Sequence, residues 1–244
     1  MISNSRIKFI KSLQIKKFRK EHKLFLVEGA KSVLELLNSD YKIDSLYITE
    51  SFHNLYVKSI TKTPFEVVGS KDLERMGEFT SNDSALAVVN MQDNKELKLE
   101  GEEFILALDG VNDPGNLGTI IRIADWYGIS KIICSENTAE VYNSKVISAS
   151  MGSFTRVNLY YCSLAEYLSK VKTPVYGAEL QGQDIHKKFA SSGFIVLGSE
   201  ASGVTNEVQK FITEKITIPR YGKAESLNVA VATAIICDNL KRTI

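Results

Sequence analysis

The stretch Phe104–Trp126, FILALDGVNDPGNLGTIIRIADW, decides the fold. Its opening run of apolar residues reads as a strand covered on both faces, and NDPG then turns the chain at Pro114 and Gly115. Helical spacing takes over, with Asn116 placed to open the helix. The same unit recurs to the C-terminus. KIIC, RVNLYYC, PVYGAEL, FIVLGSE and KITIPR are short apolar runs separated by helical segments, which predicts a parallel sheet in a doubly wound α/β domain. Ligands of such sheets bind beyond the carboxyl ends of the strands.

Before Phe104 the two periods alternate less regularly. Residues 6–20 have helical periodicity, LFLVEG (Leu24–Gly29) reads as a buried strand and Ala30–Ser39 as a helix. Ser45–Glu50, Pro64–Gly69 and Ala85–Met91 are further strand candidates, so this part predicts a smaller α/β unit. The polar stretch Gln92–Glu102 lacks an apolar face, and the boundary is placed there, giving domains 1–97 and 98–244.

Composition narrows the function class. With 244 residues, 44% of them hydrophobic, the chain can bury a substantial core. No apolar run reaches the roughly 20 residues of a membrane span, and Met1–Gln14 lacks the apolar centre of a signal peptide, so a cytoplasmic protein is expected. Cys134, Cys162 and Cys237 form no CxxC pair, and His22, His53 and His186 are isolated, so neither a disulfide framework nor a metal site is expected. GxGxxG is absent, and no GxxxxG is followed by Lys and Ser or Thr, which disfavours dinucleotide-binding and P-loop folds. The net charge of +1 conceals an uneven distribution: residues 1–31 carry nine Lys or Arg against Glu21 and Glu28. Interleaved with Phe9, Phe18 and Phe25, this basic segment suits either RNA phosphates or an ordinary solvated helix face.

Three polar segments lie at the expected strand ends. NLGTIIR contributes Asn116, Gly118, Thr119 and Arg122; LGSEASGV contributes Gly198, Glu200, Gly203 and Val204. IPRYGKAESLNVA contributes Ile218, Pro219, Gly222, Ser226, Leu227, Asn228 and Val229, and its Ser226 is a candidate helix cap. Taken singly, Asn116 is a cap and Glu200 a solvated carboxylate. Gly198 permits close approach of a ligand to the backbone, and Glu200 can accept hydrogen bonds from ribose hydroxyls.

Together the segments resemble the three motifs of the SpoU (TrmH-like) branch of the SPOUT methyltransferases. Two positions depart from the family pattern: Ala201 stands where a glycine is usual, and Arg220 where methionine is common. KEHKLFLVEGAKSVLELL and SNDSALAVV (Ser81–Val89) are similar to the L30e-like substrate-binding domain that many members carry. The resemblance implies a C-terminal α/β domain with a trefoil knot, preceded by a smaller L30e-like domain. It implies methylation of an RNA ribose 2'-hydroxyl using S-adenosylmethionine, with ribosomal RNA, most of all 23S, ahead of transfer RNA. A homodimer with sites near the subunit interface is also implied. By the same resemblance Arg122 is the central catalytic residue, accompanied by Asn116, Glu200, Ser226 and Asn228. Backbone at Gly198, Ile218 and Leu227 would hold the cofactor, with Ser226 and Asn228 facing the reacting centre. A guanidinium stays charged, so two accounts stand: Arg122 is made transiently neutral, or it orients the hydroxyl while Glu200 or a water takes the proton. The rival reading is a non-catalytic RNA-binding scaffold, which would need none of these polar residues together.

Overall fold

A computed structural model describes residues 2–60 and 63–243. The helical run at the N-terminus is divided into α1 (Asn4–Ser12) and α2 (Lys16–His22). Ser3 caps α1 by accepting the Arg6 N–H at 3.2 Å, and Ile7, Ile10 and Leu13 form its buried stripe. The break after Leu13 has a specific cause. The buried guanidinium of Arg19 reaches back to donate to the carbonyls of Leu13 (3.1 Å) and Gln14 (2.7 Å), occupying acceptors that a continuous helix would bond internally.

The chain continues through β1 (Leu24–Glu28), α3 (Ala30–Leu37), β2 (Ile43–Ile48), α4 (Glu50–Ile60), β3 (Glu66–Val67), α5 (Ser70–Met76) and β4 (Ala85–Asn90). Among the described residues these strands form one sheet in the order β1-β4-β2-β3, antiparallel except for β2 and β3. All five residues of β1 are buried, including Glu28. That carboxylate accepts the N–H groups of Glu78 (2.9 Å) and Phe79 (3.4 Å), fastening the α5–β4 loop, and burial pushes its pKa up.

From β5 (Phe104–Asp109) the chain runs through α6 (Pro114–Trp126), β6 (Lys131–Ser135), α7 (Ser144–Ser150), β7 (Asn158–Cys162), α8 (Leu164–Leu168) and β8 (Val175–Asp184). It ends with β9 (Gly193–Gly198), α9 (Asn206–Gln209), β10 (Glu214–Thr217) and α10 (Val229–Thr243). Strands β5 to β10 form a wholly parallel sheet in the order β10-β8-β9-β5-β6-β7. Its central strands β5 and β9 are buried almost throughout, as their near-continuous apolar sequences require. The chain builds outward from β5 through β6 to β7, then crosses to the other side for β8, β9 and β10. The switch point therefore lies between β5 and β9, whose carboxyl ends are Asp109–Gly110 and Gly198, the place where ligands of such sheets bind.

The described residues fall into two compact units, and the division is not a single cut. One unit comprises residues up to Asp93 together with Val141–Thr155; the other comprises Asn94–Glu140 and the residues from Arg156 onward. In the first unit, α7 and the turn after it pack on β1, where Phe25 meets Tyr142 and Phe154 at ring-centroid distances of 4.6 and 6.1 Å. In the second, residues 94–100 lie along the β7 edge of the sheet. The Asn94 side chain accepts the Tyr161 N–H (2.9 Å) and donates to the Tyr161 carbonyl (2.8 Å), while Tyr167 donates to the Leu97 carbonyl (2.6 Å). A segment that is polar in sequence thus supplies hydrogen bonds to a strand edge that would otherwise be open. Cys134 and Cys237 are buried and Cys162 half-buried, and burial raises all three thiols.

Candidate active site

The first motif begins at a capped turn. Asp113 is the N-cap of α6, accepting the Asn116 N–H at 2.8 Å, and Pro114 occupies the first helical position. Asn116 is therefore the third residue of the helix and not its cap, which leaves its side chain available. The third motif differs from expectation in the same way. Helix α10 starts at Val229, three residues later than Ser226, and its cap is Asn228, whose Oδ1 accepts the N–H groups of Ala230 (3.0 Å) and Val231 (3.3 Å). Ser226 is exposed and has no hydrogen-bond partner among the described residues.

Capping fixes the direction of a longer chain of hydrogen bonds. Because the Asn228 oxygen is committed to the helix, its Nδ2 faces outward and donates to Asn116 Oδ1 at 2.9 Å. Asn116 must then present its own Nδ2 on the other side, where the acceptor is the Glu200 carboxylate. A carboxylate only accepts, so each amide has one consistent orientation. One residue from each motif thus joins the line Glu200–Asn116–Asn228, which ends on the first amides of α10.

The second motif is shaped by a close return of the chain. After β9 the loop folds back so that Ser199 and Gly203 exchange backbone hydrogen bonds at 3.1 and 2.9 Å. A Cβ on Gly198 would lie 2.1 Å from the Gly203 carbonyl carbon and 2.3 Å from the Val204 nitrogen. Glycine is required at 198 by the loop itself, in addition to any ligand. Glu200 stands in the turn and not at a helix start; α9 begins only at Asn206. The loop is secured by Asp109, a buried carboxylate at the end of β5 that accepts the Thr205 N–H at 2.7 Å. Gly198→Ala is expected to displace this loop, weaken S-adenosylmethionine binding by at least about tenfold and cost roughly 1–3 kcal/mol, readable by calorimetric titration and thermal melting.

Arg122 lies on the exposed face of α6 and makes no hydrogen bond or ion pair among the described residues. Trp126, one turn further along, is 83% exposed. The structure therefore unites Asn116, Glu200 and Asn228, and leaves Arg122 and Ser226 outside that line. Ile218 directly follows β10, and Leu227 precedes the cap of α10 with 47% exposure. From Ile218 to Leu227 no main-chain hydrogen bond closes the loop among the described residues; the Arg220 guanidinium donating to the Ala224 carbonyl at 3.3 Å is its one internal tie. Free amides and carbonyls in this loop are the donors and acceptors that an adenine edge and an amino-acid moiety need, so the residues fit S-adenosylmethionine. Among the described residues no group of His, Cys, Asp or Glu could hold a metal, and no helix is long and apolar enough to cross a membrane.

Residues 103–238 match the SpoU rRNA Methylase family, and residues 4–87 match the MRM3-like substrate binding domain. The chain belongs to the SpoU rRNA methylase family. A relative in Bacillus subtilis, 23S rRNA (guanosine(2553)-2'-O)-methyltransferase RlmP, is 30% identical over 98% of this chain and 96% of its own length. A TrmH-family protein from Porphyromonas gingivalis superposes with a TM-score of 0.88 at 36% identity over 99% of both chains. An AdoMet-bound rRNA methyltransferase from Sinorhizobium meliloti gives 0.87 at 26% identity, over 99% of this chain and 96% of the other. As a SpoU methylase the chain is an enzyme, and S-adenosylmethionine is its cofactor.

One feature of the site was open to sequence reasoning but not read there. Asp113 immediately before Pro114 is the ordinary signature of a helix start, and it displaces Asn116 from that role. Asp109 carried no such signal, since an acid ending a buried strand gains meaning only when its partner, 96 residues later, is known.

Proposed function

We propose that this protein transfers the methyl group of S-adenosylmethionine to a ribose 2'-hydroxyl of 23S ribosomal RNA. The observation that carries the reading is the line Glu200–Asn116–Asn228, which brings one polar residue from each motif to the sheet's switch point. The B. subtilis relative, similar over nearly the whole of both chains, is named for this reaction.

In this reading the main chain at Gly198, Ile218 and Leu227 holds the cofactor. Bound S-adenosylmethionine supplies an activated methyl group, and the chain's own residues supply orientation and a route for the proton. Arg122 pairs with a phosphate of the RNA and orients the 2'-hydroxyl. Glu200 accepts the hydroxyl proton, directly or through a water, while Asn116 holds one of its oxygens and leaves the other free. Asn228 ties this arrangement to α10, and Ser226 faces the reacting centre from the loop before it. Most of the acceleration then comes from positioning.

The N-terminal domain, residues 1–97, binds the substrate, with exposed Lys8, Lys11, Lys16, Lys17, Lys20 and Lys23 meeting phosphates. The active form is a homodimer. Val231 and Ile235, one turn apart on α10, are exposed apolar residues, as are Trp126 and Leu227, and a second copy covers them. Arg122 shares the open face of α6 with Trp126, so each site is completed at the subunit interface. The trefoil threading of the C-terminal segment and a cytoplasmic location belong to the same proposal. The test is to incubate the protein with methyl-labelled S-adenosylmethionine and unmodified total RNA and to separate the RNA classes. Label is expected in 23S RNA. Label in transfer RNA alone would replace the substrate, and none despite cofactor binding would favour a scaffold.

A further inference from the structure

Beside the motifs lies a polar cluster that none of them contains. The turn after β5 passes through Gly110 at φ +74°, and its N–H donates to the buried Ser135 hydroxyl at 2.8 Å. Ser135 ends β6. Its hydroxyl donates in turn to Asn137 Oδ1 at 2.6 Å, and buried Thr138 packs against it while donating to the Leu108 carbonyl at 3.1 Å. Two buried hydroxyls and one glycine turn therefore orient a single exposed amide.

The orientation leaves one group unused. With Oδ1 occupied by Ser135, the Asn137 Nδ2 projects over Gly110. A Cβ on that glycine would lie 3.2 Å from Nδ2 and 3.7 Å from Ser199 Cβ. Nδ2 has no partner among the described residues, and Asn137 is exposed. A donor fixed by buried groups beyond the strand ends, between the turn entering the first motif and the loop of the second, is prepared for a ligand acceptor.

Strand order says which ligand. In β10-β8-β9-β5-β6-β7, the cofactor-holding positions Gly198 and Ile218 follow β9 and β10, on one side of β5. Asn137 follows β6, on the other side. We propose that Asn137 is a positioning residue for the RNA strand, its Nδ2 donating to a phosphate or base oxygen of the nucleotide presented for methylation. This rests on the methyltransferase reading of the site and adds a contact to the substrate side.

The discriminating variant is Asn137→Asp, compared with Asn137→Ala. Aspartate still accepts from Ser135, so a purely structural role survives it, whereas the donor to RNA is lost. With an unmodified 23S transcript and labelled S-adenosylmethionine, both variants are expected to raise KM for RNA about 10-fold or more. Cofactor Kd and melting temperature should stay at the unaltered protein's values. A phosphate acceptor would make aspartate worse than alanine through charge repulsion; a base carbonyl would make them equal. Normal RNA KM in Asn137→Asp, or an equal loss of cofactor affinity, would overturn the inference while leaving the methyltransferase reading intact. Absence of transfer by the unaltered protein would instead remove that reading and this inference with it.

Discussion

Arg122→Ala should lose at least about 10³-fold in kcat/KM for methyl transfer while binding S-adenosylmethionine within twofold of the unaltered protein. The side chain is exposed and makes no hydrogen bond or ion pair among the described residues, so its removal is expected to leave the fold unchanged within about 0.5 kcal/mol. On the proposed mechanism, what disappears is a positive charge that pairs with the RNA phosphate and aligns the hydroxyl. Single-turnover rates together with calorimetric cofactor titration make the measurement. Retention of more than a tenth of the activity would remove Arg122 from the mechanism.

The second large effect concerns the amide at the centre of the site. Asn116→Asp keeps the oxygen that accepts from Asn228, but replaces the donor facing Glu200 with a second carboxylate. Like charges in that position push Glu200 out of place, and an expected activity loss of about 10²-fold follows from losing one charge-assisted hydrogen bond and gaining repulsion. The pair can be reversed. In Asn116→Asp with Glu200→Gln, the new amide donates to the new carboxylate, so the geometry returns without a proton acceptor at residue 200. The double variant should regain cofactor binding and thermal stability but not methyl transfer. Full recovery of transfer would show that Glu200 only positions, and more than half of normal activity in Asn116→Asp alone would dismiss the hydrogen-bonded line.

The architecture was readable from the chain because its signals are local. Apolar runs such as Phe104–Leu108 and Phe194–Leu197, alternating with helical segments, are the pattern of a parallel sheet covered on both faces, and the sheet is parallel. Where a second, competing contact intervened, local patterns misplaced the ends of elements. Residues 6–20 keep helical spacing across a break that Arg19 imposes from four residues beyond it. PFEVVG yields only Glu66–Val67 as strand. Ser226 resembles a cap, but Asn228 takes that role because its amide can also reach Asn116. The motifs announced the candidate residues, whereas their grouping depended on distances. That Asn116 and Asn228 are hydrogen-bonded across 112 positions, and that Arg122 stays outside their hydrogen-bonded line, are properties of the folded chain alone. The segment Val141–Thr155, which leaves one compact unit to pack in the other, has a sequence indistinguishable from an ordinary α/β connection.

The most direct test of the whole account is the position of the transferred methyl group. After reaction with unmodified 23S RNA and methyl-labelled S-adenosylmethionine, the RNA is digested to nucleosides and the labelled species is fragmented by mass spectrometry. Label that stays with the ribose, from a linkage resistant to alkali, is the predicted result. Label on a base would contradict the role assigned to Arg122 and Glu200, and a digest without labelled nucleoside would contradict the enzyme itself.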